Sequence, residues 1–176
     1  MSERGYIQVY TGNGKGKTTA ALGLALRAAG RGMKTYMAQF LKKGDYGELL
    51  AVKQLIPERI VIEQFGLPEF HHQENGVSRA EREAAEAGMA AARKAMDSGL
   101  YRIVVLDEIN TLLHFGIIAV EPVLQLMAEK PAALELILTG RYAPAEILAR
   151  ADLITEMVET RHYYQKQVQA RLGIEK

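Results

Sequence analysis

Short hydrophobic segments alternate along this 176-residue chain with longer segments whose apolar residues recur at helical spacing. Segments rich in β-branched and aromatic residues predict six strands. In chain order they cover residues 6–10, 35–40, 60–65, 103–107, 134–138 and 153–156. The fourth segment, Ile103-Val-Val-Leu106, contains no polar position, which is typical of a strand buried on both faces of a parallel sheet.

Helices are predicted between these strands. Residues 18–31 are apolar almost all round the helix axis, so we expect this helix to be buried and to end at Gly30 or Gly32. Ser78-Arg-Ala-Glu81 has the residues of a capping box and begins a helix that extends to about Ser98. A stripe of small residues on this helix predicts close packing against the sheet, and it consists of Ala80, Ala84, Ala87, Ala91 and Ala95.

Pro122 and Pro144 each suit the first turn of a further helix, and these two helices should end near Lys130 and Arg150. The alternation of strands and helices predicts an α/β fold, with a mostly parallel β-sheet and helices on both faces. No repeat, low-complexity tract or linker interrupts the sequence, so we expect one domain over residues 1–176. The one long irregular connection, residues 66–77, is a candidate functional loop.

The segment Thr11-Gly-Asn-Gly-Lys-Gly-Lys-Thr18 follows the first predicted strand and begins the first predicted helix. Glycines let successive backbone N–H groups converge on phosphate oxygens, and a helix N-terminus adds partial positive charge. This order of elements indicates a P-loop that binds a nucleoside triphosphate, with ATP as the expected ligand. Thr11 stands where the common pattern has its first glycine, so we expect a tighter loop. Candidate nucleotide-binding residues are Thr11, Gly12, Asn13, Gly14, Lys15, Gly16, Lys17, Thr18 and Thr19.

The buried strand that begins at Ile103 ends in two carboxylates, Asp107 and Glu108. An apolar strand with this ending is the Walker B pattern, which places a carboxylate near the Mg²⁺ ion of a P-loop protein. We therefore expect Thr18, Asp107 and Glu108 as metal ligands, or Thr18 with one of the two carboxylates. Neighbouring residues of a strand point in different directions, so the two carboxylates should not share one role.

Composition limits the remaining function classes. Lysine and arginine number 22 against 21 aspartates and glutamates, so the overall charge gives no indication of nucleic-acid binding. There is no cysteine, which excludes disulfides, thiolate metal sites and a cysteine nucleophile. The N-terminus lacks the apolar stretch of a signal peptide, and no apolar run approaches the ~20 residues that span a bilayer. We expect a soluble cytoplasmic protein that does not bind membranes.

The segment Val9-Tyr-Thr-Gly-Asn-Gly-Lys-Gly-Lys-Thr-Thr-Ala-Ala21 resembles the phosphate loop of the P-loop corrinoid adenosyltransferases, which act in bacterial adenosylcobalamin synthesis. The resemblance continues over nearly the whole chain. Its further segments are Gln39-Phe-Leu-Lys42, Val105-Leu-Asp-Glu108, Leu138-Thr-Gly-Arg141, Ala151-Asp-Leu-Ile-Thr-Glu156 and Arg171-Leu-Gly-Ile174. The thirteen-residue loop is the most specific of these motifs.

The resemblance implies a P-loop fold and a reaction in which reduced cob(I)alamin attacks the 5′-carbon of ATP and expels triphosphate. Mg²⁺, Lys17, Lys15 and the loop amides would stabilise the negative charge of this leaving group. The nucleophile carries no proton, so no general base is needed. Arg141 is expected to bind a phosphate or the adenosine, with a surface arginine at the sheet edge as the alternative.

The resemblance also implies an aromatic residue beneath the corrin ring, which would expel the lower axial ligand of cobalt. We assign this catalytic role to Phe70, beside His71 and His72, because the tryptophan of well-known bacterial members is absent here. Only residues 1–5 precede the first predicted strand, whereas many members carry an extra N-terminal helical segment. Expected partners are the reduced corrinoid, a flavoprotein-type reductant and a second copy of the chain in a homodimer.

Other residues and functions stay open at this point. Lys42 and Lys43 are equally suited to guiding the corrinoid or phosphates and to a solvated loop. His114 has apolar neighbours and is expected to be a packed core residue. Residues 161–176 are expected to dock onto the domain or onto a second subunit. The alternatives to adenosyl transfer are a small-molecule kinase or hydrolase, and a nucleotide-gated corrinoid carrier; a kinase would need a base, for which Asp107 or Glu108 could serve.

Overall fold

The computed structural model describes residues 4–67 and 76–176. Within them six strands form one sheet in the order β3-β2-β4-β5-β1-β6, and each pair of neighbouring strands is parallel. The strands are Ile7–Thr11 (β1), Thr35–Phe40 (β2), Ile60–Phe65 (β3), Ile103–Asp107 (β4), Glu135–Thr139 (β5) and Leu153–Glu156 (β6). All six predicted strands are therefore observed, with β1 and β5 each displaced by one residue.

Helices cover both faces of this sheet, as predicted. They are Lys17–Ala29 (α1), Gly47–Leu55 (α2), Arg79–Asp97 (α3), Ile109–His114 (α4), Glu121–Ala128 (α5) and Ala145–Leu148 (α6), followed by a 3₁₀ helix at Tyr163–Lys166. Buried residues of α1 and α2 share clusters with one face of the sheet, and those of α3 to α6 share the main cluster with the other. The predicted α/β fold class is confirmed.

Strand β4 lies in the interior of the sheet and shows why its sequence has no polar position. Val104 and Leu106 join the core beneath α3 to α6, whereas Ile103 and Val105 join the core beneath α1. Because successive side chains point to opposite faces, every residue of the strand is covered by a helical layer. The prediction of a strand buried on both faces is confirmed.

The capping box of α3 is present. The Ser78 hydroxyl accepts a hydrogen bond from the Glu81 backbone N–H, and the Glu81 carboxylate accepts one from the Ser78 backbone N–H. The predicted alanine stripe is wrong, because Ala80 and Ala87 are exposed. The face that packs on the sheet is rotated, and it consists of Ala85, Gly88, Ala92, Ala95 and Met96. At Gly88 an added Cβ would lie 2.4 Å from the ring of Phe40, so this ring selects the face that can approach.

Helix α1 ends at its C-cap Gly30 as predicted, but it is not buried all round. Ala21, Ala25 and Ala28 face the sheet, while Leu26 on the outer side is 60% exposed. Helices α2 and α4 were not predicted. No helix in the described part of the chain has the length and apolar content needed to cross a membrane.

Candidate functional site

The phosphate loop lies at the carboxyl ends of the parallel strands. It connects β1 to α1, and β5 separates β1 from β4 in the sheet. Asp107 ends β4, and Lys42 follows β2 two residues beyond its last residue, so both reach the same edge of the sheet as the loop. In open α/β sheets this edge is where ligands bind.

Two glycines of the loop pack against the segment that follows β6. The Gly14 backbone N–H donates to the Met157 carbonyl oxygen at 2.6 Å, and a Cβ on Gly12 would lie 2.5 Å from that oxygen. Gly12 and Gly16 also adopt φ values of 91° and 122°, which favour glycine. The loop conformation therefore depends on glycine for its backbone angles and for its contact with the β6 end.

Lys17 is buried and turns back into the loop. Its Nζ donates to the carbonyl oxygens of Gly12 and Gly14, each at 2.7 Å. Burial lowers the pKa of the Lys17 ammonium, while the charge of Glu108 opposes that shift. The side chain thus holds a positive charge under the loop, where a phosphate group would meet it.

Asp107 is fully buried, and four side chains donate to its carboxylate. Thr18 and Thr139 donate to Oδ1 at 2.9 and 2.6 Å. Lys42 donates to Oδ2 at 2.8 Å, and Gln39 lies 3.4 Å from the same oxygen. This carboxylate is therefore fixed beside the hydroxyl of Thr18, another of the residues predicted to bind a metal.

Glu108 has a different environment from Asp107, as the strand geometry predicted. Its backbone has a left-handed φ of 66°, and its N–H donates to the Thr139 hydroxyl at 3.0 Å. The carboxylate accepts a hydrogen bond from the Thr111 hydroxyl at 2.6 Å and lines the adjoining cavity. Glu108 therefore faces the cavity, whereas Asp107 is the carboxylate that contacts Thr18.

Lys42 belongs to the site, although its sequence position left its role open. Its Nζ lies 3.2 Å from the Thr18 hydroxyl and 3.9 Å from Glu48, in addition to its contact with Asp107. Burial acts to lower the pKa of the Lys42 ammonium, but the nearby carboxylates outweigh it and raise the pKa above its ordinary value. Lys43, by contrast, is exposed.

A cavity of about 490 Å³ opens over the loop. The predicted site residues that line it are Gly14, Lys15, Gly16, Lys17, Thr18, Thr19, Glu108 and Arg141. Asp107 and the loop residues Thr11, Gly12 and Asn13 are not among its lining residues. Lining residues that the sequence analysis did not identify as binding residues are Leu22, Tyr46, Gly47, Glu48, His162, and Gly173 to Lys176.

The C-terminal segment forms one wall of this cavity, in agreement with docking onto the domain. Lys15 Nζ lies 3.4 Å from the Ile174 carbonyl oxygen. Glu175 is held by Arg171 and by the Tyr163 hydroxyl, and the Arg171 guanidinium lies 5.0 Å above the Tyr163 ring. Hydrogen bonds from Arg171 and then Tyr163 lower the pKa of Glu175 to about 2. These contacts among Tyr163, Arg171 and Glu175 fold the terminal segment back on itself.

Arg141 is exposed at the cavity, and its backbone N–H donates to the Thr111 hydroxyl at 3.1 Å.

The expectation of a core histidine at position 114 is wrong. His114 is exposed in the last turn of α4, where its ring lies 4.2 Å from that of Tyr142, while Leu112 points into the core. Phe70, His71 and His72 lie outside the described residues.

Comparison with known proteins identifies the family. The profile of the ATP:corrinoid adenosyltransferase BtuR/CobO/CobP family matches residues 3–175. The chain belongs to this family. The resemblance inferred from the motifs is confirmed, and with it an enzymatic activity that adenosylates corrinoids with ATP.

Curated relatives extend this match across the chain. The corrinoid adenosyltransferase of Escherichia coli K12 is 37% identical and covers 99% of this chain and 87% of its own length. The corrinoid adenosyltransferase CobA of Salmonella typhimurium is 34% identical with the same coverage. An uncharacterized protein of Nostoc sp. PCC 7120 is 40% identical over 92% of this chain, which spans only 46% of that protein's length.

A solved structure supports the fold of this adenosyltransferase family member. The KaiC-like protein PH0186 of Pyrococcus horikoshii superposes with a TM-score of 0.57 at 17% identity, covering 90% of this chain and 74% of that one. This likeness concerns the fold alone, and it agrees with the predicted P-loop architecture.

The residues around Thr18 offer oxygen ligands of the kind that Mg²⁺ takes. No group of three His, Cys, Asp or Glu side chains with metal-binding geometry occurs in residues 4–67 and 76–176. Mg²⁺ usually takes one or two carboxylates and completes its shell with water and substrate phosphates. The Thr18 hydroxyl and the Asp107 carboxylate, which lie side by side and both contact the Lys42 ammonium, match that arrangement.

Proposed function

We propose that this chain transfers the 5′-deoxyadenosyl group of ATP to the cobalt of a reduced corrinoid, in adenosylcobalamin biosynthesis or salvage. The observation that carries the proposal is the cavity between the phosphate loop and Glu108, with Lys17, Thr18 and Arg141 on its walls. Its volume of about 490 Å³ lies in the range typical of small-molecule sites. The triphosphate binds against the loop, and the adenosine extends toward the open side.

The reaction needs charge stabilisation rather than proton transfer. The cobalt electron pair attacks the 5′-carbon and forms the Co–C bond, while the C5′–O bond breaks and triphosphate leaves with its electron pair. The loop amides, Lys15 and Lys17 stabilise the charge that collects on this leaving group. Neither substrate loses a proton at the reacting atoms, so the reaction does not need a general base.

Mg²⁺ is part of this proposal, with Thr18 and Asp107 as its protein ligands and Glu108 facing it from the cavity. When bound, the ion neutralises part of the triphosphate charge. The two protein oxygens lie 2.9 Å apart and are fixed before the ligand arrives, which supports the assignment. Arg141 binds the nucleotide from the opposite wall.

The environment of Asp107 argues against one of the two candidate bases for phosphoryl transfer to a hydroxyl group. A kinase needs a carboxylate that is free to accept the hydroxyl proton. Asp107 already receives hydrogen bonds from Thr18, Thr139 and Lys42 and has no exposed surface. A carboxylate occupied in this way is a poor base.

Phe70 is proposed to lie beneath the corrin and to expel the lower axial ligand of cobalt, which eases reduction of Co(II). This assignment is supported by the family resemblance alone. Loss of the four-coordinate Co(II) EPR signal in Phe70→Ala would support it, and an unchanged signal would contradict it.

We further propose a cytoplasmic homodimer that receives electrons from a flavoprotein-type reductant. Light scattering tests the homodimer, and reductant-coupled assays test the electron donor.

The decisive experiment supplies ATP and chemically reduced cob(I)alamin to the purified protein. We expect a light-sensitive Co–C product and one triphosphate per corrinoid. ADP as the main product would indicate a kinase or hydrolase instead, and unchanged ATP would indicate a carrier. Lys17→Ala should reduce kcat/KM by about 10²–10³-fold. Lys43→Ala replaces an exposed lysine beside the site and serves as the matched control.

A further inference from the structure

A lysine ammonium lies between the two expected metal ligands. Lys42 Nζ is 2.8 Å from Asp107 Oδ2 and 3.2 Å from Thr18 Oγ1, with Glu48 at 3.9 Å. The Lys42 side chain is 17% exposed, whereas that of Asp107 has no exposure. A positive charge therefore contacts the Thr18 oxygen that would bind Mg²⁺ and the second oxygen of the Asp107 carboxylate.

Lys42 balances a charge that the other donors cannot. Thr18, Thr139 and Gln39 give Asp107 neutral hydrogen bonds, which leave its charge uncompensated. Lys17 directs its ammonium at loop carbonyl oxygens instead of at this carboxylate. A buried carboxylate without a cation is strongly unfavourable, so the ion pair with Lys42 supports the site in the absence of other ligands.

The backbone places Lys42 there at a cost. Leu41, the residue directly after β2, adopts a φ of 57°, which is uncommon for a residue with a side chain. Strained backbone of this kind clusters at ligand-binding and switch regions. The turn brings Lys42 toward Asp107, while Lys43 beside it points to solvent.

We propose that Lys42 is a positioning residue that holds the metal position in the nucleotide-free protein and is displaced when Mg²⁺ arrives with the triphosphate. The inference rests on the proposed function in that ATP and Mg²⁺ are the ligands. Two cations cannot both contact Thr18 Oγ1 beside the same carboxylate, so one must leave. Lys42 keeps both oxygens in place beforehand and lessens the dependence of ATP binding on Mg²⁺.

The first test compares ATP binding in EDTA with ATP binding in MgCl2 by calorimetry. In Lys42→Met, Asp107 repels the triphosphate until a metal compensates its charge. The ratio of the two dissociation constants should therefore rise about tenfold or more over the native ratio. Lys43→Met should keep the native ratio. An unchanged ratio in Lys42→Met, whether both affinities fall or neither does, would overturn the proposal.

The second test measures thermal unfolding without nucleotide. In EDTA, Lys42→Met should melt roughly 6–20 °C below the native protein, because it leaves a buried charge unpaired. The double variant Lys42→Met/Asp107→Asn removes both charges and should recover most of this loss. If Lys42→Met does not fold, the double variant still should; equal instability of the two would refute the charge pairing.

These measurements contain no corrinoid, so they separate the inference from the proposed function. Absence of adenosylated product with an increased Mg²⁺ dependence in Lys42→Met would defeat the function and leave the role of Lys42 intact. Normal product formation with an unchanged Mg²⁺ dependence in Lys42→Met would support the function and overturn the role of Lys42.

Discussion

Replacement of Thr139 by valine tests how Asp107 and Glu108 are held together. The Thr139 hydroxyl donates to Asp107 at 2.6 Å and accepts the Glu108 backbone N–H at 3.0 Å, in a fully buried position. Valine keeps the shape of the side chain and removes both bonds. A hydrogen bond to a charged group contributes about 1.5–3 kcal/mol, and a buried unpaired N–H costs about 1–3 kcal/mol.

If the two losses add, the expected destabilisation is about 2.5–6 kcal/mol. At roughly 2–4 °C per kcal/mol for a chain of this size, the melting temperature should fall by about 5–24 °C. Differential scanning calorimetry of the nucleotide-free protein measures this directly. The value of kcat/KM for ATP should also fall, by on the order of tenfold, because Asp107 loses one of the contacts that orient it.

Thr139→Ser is the matched control, because it keeps the hydroxyl and loses only a methyl group. It should melt closer to the native protein and retain most of the activity. If the valine variant melts within about 2 °C of native, or if serine is as harmful as valine, the two hydrogen bonds do not contribute as argued.

Three further predictions concern the loop and the C-terminal wall. Lys17→Ala should reduce kcat/KM in the cob(I)alamin assay by about 10²–10³-fold; a near-normal value would mean that the phosphates bind elsewhere. Gly12→Ala should abolish ATP binding in calorimetry, because its Cβ would lie 2.5 Å from a carbonyl oxygen. Gly32→Ala is the control: Gly32 also has a positive φ, 78°, but nothing lies near its Cβ position, so this variant should bind ATP normally. The pKa of Glu175 is lowered to about 2 in the fold, so docking of the tail should be fully stabilised above the ordinary pKa of 4.5 and lose that stabilisation as the pH falls toward 2. Hydrogen exchange of residues 171–176 should show this dependence in the native protein and lack it in Glu175→Gln; identical pH profiles would refute it.

Local sequence patterns were sufficient for the elements of the fold. All six strands are short segments rich in apolar residues, including the exposed edge strand β6, and such segments are recognisable wherever they occur in the chain. The capping box of α3 and the C-cap of α1 depend on neighbouring residues, so they too were predictable. Helices α2 and α4 escaped prediction because neither begins with a capping side chain or a proline, whereas the similarly short α5 and α6 begin at a proline.

Local sequence patterns could not predict which face of α3 packs on the sheet. Two stripes of small residues satisfy helical spacing, and only the position of the Phe40 ring against Gly88 distinguishes them. That contact joins residues from different elements, so no local pattern contains it. His114 illustrates the same limit, since apolar neighbours in sequence did not decide which side of α4 faces the core.

For the site, local patterns predicted the chemistry: a loop that binds phosphates, two carboxylates at a strand end, and the family. Tertiary structure alone decided which groups meet. Asp107 contacts Thr18 and Lys42 across 89 and 65 residues of sequence, and β5 brings Thr139 beside it because of the strand order. Hydrophobic periodicity specifies which side of an element is buried, but it does not encode which strands become neighbours. The polar contacts at the strand ends follow from that order.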